Sequence, residues 1–198
     1  GCFSDTSTGR SGTGYSHDAQ CVVYRGPDQS YKGREICIGS NETAISIADV
    51  TDKASPKAIS HASYPAVAYA HQGWLTDDHR YFYLGDELDE TAGEGEAGKG
   101  TRTLIWDLQD LDDPVLVKEW VGTTPATDHN LYIKGNRMYQ ANYQAGLRIL
   151  DISDPANPRE VGYLDTTPEG TTSQMSGTWS NYPYFSSGTI VVTSIGEG

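Results

Sequence analysis

Long apolar runs and clusters of basic residues are both missing from this sequence. No segment approaches the roughly 20 apolar residues that a helix needs to cross a bilayer, so a transmembrane segment is not expected. Lys and Arg together number 14 against 27 Asp and Glu, which gives a formal net charge of -13. This excess of negative charge repels phosphate groups and argues against nucleic acids and anionic membranes as partners.

Short motifs typical of common catalytic sites are absent too. The sequence contains no GxSxG, no P-loop, no CxxC pair and no HExxH. It therefore lacks the signatures of serine hydrolases, P-loop nucleotide binding, thiol redox chemistry and one large class of zinc proteases. No catalytic residue or organic cofactor is predicted.

An internal repeat is the main positive feature. An aspartate, a second aspartate three residues later and a proline four residues after that occur three times, each after an alternating apolar run. The copies are Asp49/Asp52/Pro56, Asp107/Asp110/Pro114 and Asp151/Asp154/Pro158. Their spacing is typical of β-propeller blades. Because Asp in a turn accepts backbone N–H bonds, we interpret these aspartates as structural turn residues instead of a glycosidase pair.

Four copies of one unit of four strands follow each other along the chain. The 13 Tyr and 22 Gly favour short strands and tight turns over helices. The sequence therefore predicts an all-β protein, a β-propeller of four-stranded antiparallel blades with very little helix. The approximate repeats are residues 14–60, 61–122, 123–166 and 167–198. The last copy is incomplete, so we expect a partial propeller, about four blades' worth of a longer chain.

Two of the three cysteines are predicted to pair. Cys21 and Cys37 lie in strands placed symmetrically about the turn region Gly26–Asp28, which would set them opposite each other in a hairpin. We predict a disulfide between them, with Cys2 paired elsewhere or free. The alternative is three reduced thiols, since disulfides persist mainly outside the cytosol.

One insertion interrupts the second repeat. Residues 86–100 lengthen the hairpin between its second and third strands and carry six carboxylates. We favour a solvated, mobile loop. The alternative is a Ca²⁺ site, because Ca²⁺ binds several carboxylate oxygens on flexible backbone, although the spacing matches no EF-hand loop.

Several long segments resemble the choice-of-anchor B proteins, which are built from LVIVD repeats. They are GYSHDAQCVVYRGPD, YAHQGWLTDDHRYFYLGDELDE, DHNLYIKGNRMYQANYQAGLRILDISDPANP and GTWSNYPYFSSGTIVV. The repeat is clearest from Gly146 to Pro155, and the resemblance covers nearly the whole chain from about Gly14. It implies a secreted or surface-attached β-propeller with no established catalytic residues, whose anchor and remaining blades are expected outside this segment.

Three histidines, each followed by a polar residue, recur at one point of the repeat: His17-Asp18, His71-Gln72 and His129-Asn130. Equivalent positions of a propeller converge on its central channel. There the imidazoles, with Asp18 or water, could bind a divalent metal ion, either a transition metal or Ca²⁺. Alternatively each histidine donates to a backbone carbonyl of the adjacent blade, which is the role we favour.

Two functions are compatible with these features. The one we favour is a non-catalytic secreted or cell-surface propeller that acts as a binding, adhesion or assembly module. Its partner would be an extracellular protein or glycan, or further copies of itself. The alternative is a metal-dependent enzyme with its site at the His-lined mouth of the central channel.

Overall fold

The computed structural model describes residues 3–93 and 100–196, and nearly all of their regular structure is β-strand. A 3₁₀ turn (Arg10–Gly12) and one helical turn, α1 (Asp89–Ala92), are the exceptions within these residues. The predicted all-β class is thereby confirmed. Cys2 lies outside the described residues. None of the helical segments described has the length and apolar character required of a membrane span.

Fourteen strands within the described ranges form four antiparallel sheets, each in chain order. Blade one contains β1 (Asp18–Val23), β2 (Glu35–Ser40), β3 (Ile45–Asp49) and β4 (Lys57–Ala62). Blade two contains β5 (Ala70–Leu75), β6 (Tyr81–Asp86), β7 (Arg102–Asp107) and β8 (Val115–Val121). Blade three contains β9 (Asn130–Lys134), β10 (Arg137–Ala141), β11 (Leu147–Asp151) and β12 (Arg159–Leu164). Blade four contains β13 (Gly177–Tyr182) and β14 (Val191–Ile195).

The first strands of the four blades are the innermost. Strand β1 contacts β5, β5 contacts β9, and β9 contacts β13, so these strands lie side by side around one axis while the later strands of each blade extend outward. This radial order of four-stranded antiparallel sheets is the β-propeller architecture that the repeat predicts.

The core lies between neighbouring blades because successive side chains of a strand point to opposite faces of its sheet. On one face of blade two, Phe82 and Trp106 pack in a buried cluster with blade one. On the other face, Tyr83 and Ile105 pack with Ile133 of blade three. Blade two therefore buries both of its faces, and each blade depends on its neighbours for a core.

The repeated aspartates occupy equivalent turns after the third strands of blades one, two and three. The first aspartate of each copy accepts the amide of the residue two positions later at 2.9 to 3.0 Å. It also pairs with an arginine next to or at the start of the second strand, in the pairs Arg34–Asp49, Arg80–Asp107 and Arg137–Asp151. Of the second aspartates, Asp52 and Asp110 accept a turn amide at 2.9 Å, and Asp154 accepts the side chain of Asn157.

Blade one carries the disulfide. Cys21 on β1 is directly opposite Cys37 on β2 in the antiparallel register, and the structure joins the two in a cross-strand disulfide. The covalent link thus crosses from the innermost strand to its neighbour.

The acidic insertion is packed into the protein where the structure describes it. Asp86 and Asp89 are fully buried and Glu90 is nearly so. The preference for a solvated loop is therefore wrong for residues 86–90, whereas residues 91–93 are exposed. The reason is that Arg102, at the start of β7, is itself buried and draws these carboxylates inward.

Candidate functional site

The three recurrent histidines lie at one end of the axis and connect the blades in sequence. The Nδ1 atom of His17 is 3.1 Å from the carbonyl oxygen of His71, and that of His71 is 3.0 Å from the carbonyl oxygen of His129. The Nδ1 atom of His129 is 2.5 Å from the carbonyl oxygen of Trp179. Trp179 thus takes the place of the histidine in blade four. Each histidine therefore contacts a backbone carbonyl of the adjacent blade, as expected if the histidines have a structural role.

The carbonyl contacts assign the tautomer of each ring. Nδ1 of His129 also lies 2.7 Å from the side-chain nitrogen of Asn130, which donates to the same carbonyl oxygen of Trp179 at 3.1 Å. A carbonyl oxygen only accepts hydrogen bonds, so Nδ1 must carry the proton, and in a neutral imidazole Nε2 then has a free lone pair. Burial, with smaller contributions from His129 and His17, lowers the pKa of His71 to about 3. Burial also lowers the pKa of His129. Both rings are therefore neutral at physiological pH.

The rings themselves form an arc around the axis. The ring centres are 4.1 Å apart for His17 and His71, 4.7 Å for His71 and His129, and 4.0 Å for His129 and Trp179. His71 and His129 are buried in the middle of the arc. In this chain the two ends of the arc are exposed, since His17 is exposed and Trp179 is 45% exposed.

Glu87, which no sequence pattern singled out, completes the site. Its carboxylate oxygens lie 3.6 Å from Nε2 of His71 and 3.6 Å from Nε2 of His129. The hydroxyl of Tyr143 donates to Glu87 Oε1 at 2.6 Å. Glu87 directly follows β6, at the inner end of the hairpin that the insertion lengthens. Its position relative to the histidine is the same as that of Glu42 in blade one, which is the signal that could have identified it.

The structure brings together part of the predicted ligand set. One ligand atom each from His71, Glu87 and His129 lies within 4.8 Å of the other two. His17 stacks beside His71 but is not in that group of donors. Asp18 is exposed, and its carboxylate accepts the amide of Ala19 at 2.6 Å. Glu87 therefore stands where the sequence led us to expect Asp18.

Amide side chains on the innermost strands hold the blades in register. Gln72 accepts the amide of Leu131 at 2.8 Å and donates to the carbonyl of the same residue at 2.9 Å. Gln20 accepts the amide of Leu75 from the next blade at 2.8 Å. The side-chain amides thus form the hydrogen bonds between the innermost strands of neighbouring blades. These bonds fix the spacing of the strands that carry the axial site.

A buried arginine holds the insertion next to this site. Arg102 contacts the carboxylates of Asp89 at 2.5 Å and Glu119 at 3.2 Å. Its guanidinium also donates to the carbonyl oxygens of Pro65 and Ala66 at 3.1 and 2.8 Å. The guanidinium group has only hydrogen-bond donors, and all of these partners are acceptors, so its donors are satisfied although it is buried.

Some carboxylate oxygens of this region are buried without a hydrogen-bond partner. Within the described residues, one oxygen each of Asp89, Glu90 and Asp128 has no hydrogen-bond partner. Burial raises the pKa of Asp128 well above its ordinary range. Burial and the charge of Asp128 raise the pKa of Glu90. Asp128 approaches β6 so closely that a Cβ on Gly85 would lie 2.0 Å from its Oδ2 atom, so any other residue there would force the Asp128 carboxylate to move.

Comparisons with known proteins support the repeat and the fold. The LVIVD repeat family matches residues 128–166, which hold blade three and His129. A search of the curated proteins finds no match. The crystal structure of a protein from Lactobacillus plantarum is similar, with a TM-score of 0.58 at 13% sequence identity over 93% of this chain and 57% of that one.

A functionally unknown protein from Desulfotomaculum acetoxidans DSM 771 gives a TM-score of 0.39 at 10% identity, over 90% of this chain and 68% of that one. This chain spans a little over half the length of the Lactobacillus plantarum protein. The chain thus contains an LVIVD repeat and has a propeller-like fold.

Proposed function

We propose that this chain is part of an extracellular β-propeller of the choice-of-anchor B type, secreted or attached to the cell surface. It acts as a binding module for a protein or glycan partner. Two observations support the family and the location: the match of residues 128–166 to the LVIVD repeat and the disulfide between Cys21 and Cys37, a bond that persists mainly in oxidising compartments.

The observation that supports a binding role is the arc of rings at the axis. Its ends present aromatic surface to solvent, through Trp179 at one end and, near His17, through Tyr15, which is 51% exposed. Tyrosine and tryptophan offer large apolar contact area at low entropic cost and are enriched at interfaces. The rings are held by backbone contacts between blades, so little ordering is needed on binding. The net charge of -13 favours a neutral or cationic partner.

Arrays of immobilised glycans and extracellular-matrix proteins test this proposal. The purified chain is expected to bind a limited set of spots, and Trp179→Ala is expected to lose them. Phe185→Ala is the matched control because Phe185 is 47% exposed, belongs to the same blade and packs on Tyr182 instead of the histidines. Equal binding by the wild type and by both variants would remove the axial face as the binding site.

A further inference from the structure

The free lone pairs of two buried imidazoles point at a carboxylate. Because Nδ1 of His71 and Nδ1 of His129 each contact a carbonyl oxygen, Nε2 of each ring is an acceptor. Both Nε2 atoms face Glu87, and an ionised carboxylate is also an acceptor only. No hydrogen lies between the two Nε2 atoms and the carboxylate, whose one side-chain donor within the described residues is the Tyr143 hydroxyl, and facing acceptors of this kind cost free energy away from water unless a positive charge joins them.

The distances do not match a protonated histidine as that positive charge. A charged imidazole that donates to a carboxylate has an N···O distance of about 2.7 to 2.9 Å. Here both distances are 3.6 Å. The gap suits an ion placed between the groups. Four ligands arranged tetrahedrally about 2.1 Å from Zn²⁺ lie about 3.4 Å from one another, close to the two Nε2···O separations, which involve the two different oxygens of Glu87; the three donors together lie within 4.8 Å of one another.

The surroundings of these three side chains are those of metal ligands. In protein metal sites, the second nitrogen of a histidine ligand usually donates to a carbonyl or carboxylate, which fixes the ring and its tautomer. His71 and His129 both do so. The carboxylate of Glu87 is in turn held by the hydroxyl of Tyr143 at 2.6 Å. The donor set is thus oriented before any ion binds.

We propose that Nε2 of His71, Nε2 of His129 and the carboxylate of Glu87 bind one divalent transition-metal ion, for which Zn²⁺ is the best match. Imidazole nitrogen suits Zn²⁺, and three protein ligands leave a fourth tetrahedral position for water or a donor atom of a partner. This metal site deepens the proposed function, and its biological role rests on the proposal that the chain is a binding module. Within the described residues, a second group of donors, Asp28, Asp110 and Asp112, consists of carboxylates only and suits hard cations instead.

Calorimetric titration of the EDTA-dialysed chain with Zn²⁺, Ni²⁺ and Ca²⁺ tests the site. The wild type is expected to bind one Zn²⁺ per chain at the axis. Glu87→Gln keeps the size of the side chain and an acceptor for Tyr143 but removes the ionised ligand. It is expected to weaken Zn²⁺ binding by at least roughly 10- to 100-fold, since even outer-shell changes have effects of that size.

His17→Gln is the matched control. His17 makes the same contact to the next blade but lies outside the donor set, so its substitution is expected to leave the Zn²⁺ affinity near that of the wild type. Circular dichroism of the metal-free variants verifies that both are folded. The proposal is overturned if neither Zn²⁺ nor Ni²⁺ gives heat, if Glu87→Gln binds like the wild type, or if His17→Gln loses as much affinity as Glu87→Gln.

The two proposals fail independently. Zn²⁺ binding that depends on Glu87, without any array binding that depends on Trp179, supports the metal site and removes the proposed binding role. Array binding that depends on Trp179, without heat from Zn²⁺ or Ni²⁺, does the reverse.

Discussion

Blade two differs from blades one and three at the end of its second strand. The connection to the third strand comprises residues 41–44 in blade one, 142–146 in blade three and 87–101 in blade two. The residue after each histidine pairs with a residue of the second strand of its own blade. These pairs are Asp18–Ser40, Gln72–Gly85 and Asn130–Ala141. Two residues further on, the equivalent positions are therefore Glu42, Glu87 and Tyr143.

The short connections use this position to join blades. Glu42 and Tyr143 have positive φ values of 62° and 36°, and each forms a bridge to the next blade, with Ala70 and Thr178 respectively. Glu87 instead donates its amide to the carbonyl of Tyr69 in its own blade at 3.1 Å. The longer connection frees Glu87 from the bridge and directs its carboxylate to the axis. An insertion in one repeat thus redirects to the histidines an acidic side chain whose equivalent in blade one, Glu42, lies in a bridge between blades.

Each blade is also held in a different way. Blade one has the disulfide between Cys21 and Cys37, and blade two has Arg102 among buried carboxylates. Blade three has neither. Substitutions that remove these braces should therefore have effects that differ between blades, whereas substitutions in the repeated turns should have similar effects.

Removal of the buried arginine is expected to have the largest effect. Arg102→Met leaves the carboxylates of Asp86 and Asp89 buried without their cation, and loss of one partner of a buried ion pair costs about 3–5 kcal/mol. Urea unfolding at pH 7 measures the change. The control is Arg80→Met, because Arg80 is partly exposed in its pair with Asp107, and such pairs contribute about 1 kcal/mol or less. Equal losses in both variants would contradict the special role of Arg102.

Loss of the disulfide is expected to be the next largest effect. Its cysteines are 16 residues apart in sequence, and closing a loop of that length stabilises a fold by about 3 kcal/mol. The variant Cys21→Ala/Cys37→Ala, or the reduced wild type, should lose stability by that order in urea unfolding. A reductant should not change the double variant. Mass spectrometry that finds both thiols free in the unreduced protein would contradict the prediction.

The fold class could be predicted because its signals are local and repeated. Alternating strands recur in every copy and the Asp-x-x-Asp-x-x-x-Pro spacing recurs in the first three, which indicates the order of strands and turns in each blade. The three histidines share a position in the repeat, which places them at one end of the axis. Which nitrogen faces which group depends on carbonyl oxygens of the next blade, more than 40 residues away in the chain, and no local pattern encodes that.

Glu87 and Trp179 could not be predicted in the same way, for two different reasons. Glu87 begins an acidic, glycine-rich segment whose composition indicates a loop, and only its contacts with His71 and His129 give it a role. Trp179 occupies the histidine position of blade four with a different side chain. A repeat preserves the backbone geometry of a position but not its side chain. A search for repeated histidines therefore does not find Trp179.

The pH dependence of stability tests whether blade two carries uncompensated carboxyls. Because burial and Asp128 raise the pKa of Glu90, the folded protein keeps a proton that the unfolded chain loses above its ordinary pKa near 4.5. The contribution of Glu90 to stability should then fall as the pH rises from about 5 to 8, by up to about 1.4 kcal/mol per pH unit. The lowered pKa values of His71, His79 and His129 act in the opposite direction below about pH 6.5.

Glu90→Gln should flatten this slope, because glutamine does not titrate. Urea unfolding at pH 5, 6, 7 and 8 measures the slope. The free energy of unfolding of the variant should match that of the wild type near pH 5 and exceed it at pH 8. Glu160→Gln is the control, since Glu160 pairs with Arg148 away from this cluster. An unchanged slope in Glu90→Gln would mean that Glu90 is ionised in the folded protein.

The repeated turns should give the smallest effects and the most uniform ones. Asp49 accepts the amide of Thr51 and contacts Arg34, so Asp49→Ala should cost about 1 kcal/mol. Asp151 makes the equivalent contacts but is more exposed, and Asp151→Ala should cost less.

Burial opposes ionisation of Asp49, yet its bonds to Thr51 and Arg34 outweigh burial and lower its pKa. Its contribution is therefore present above its ordinary pKa near 3.8 and is lost as the pH falls below it. Urea unfolding at pH 3 and pH 7 checks this, because the difference between Asp49→Ala and the wild type should shrink in acid. If Asp49→Ala instead costs as much as Arg102→Met, the turns brace the blades as strongly as the buried arginine does, and the contrast between blade two and its neighbours is lost.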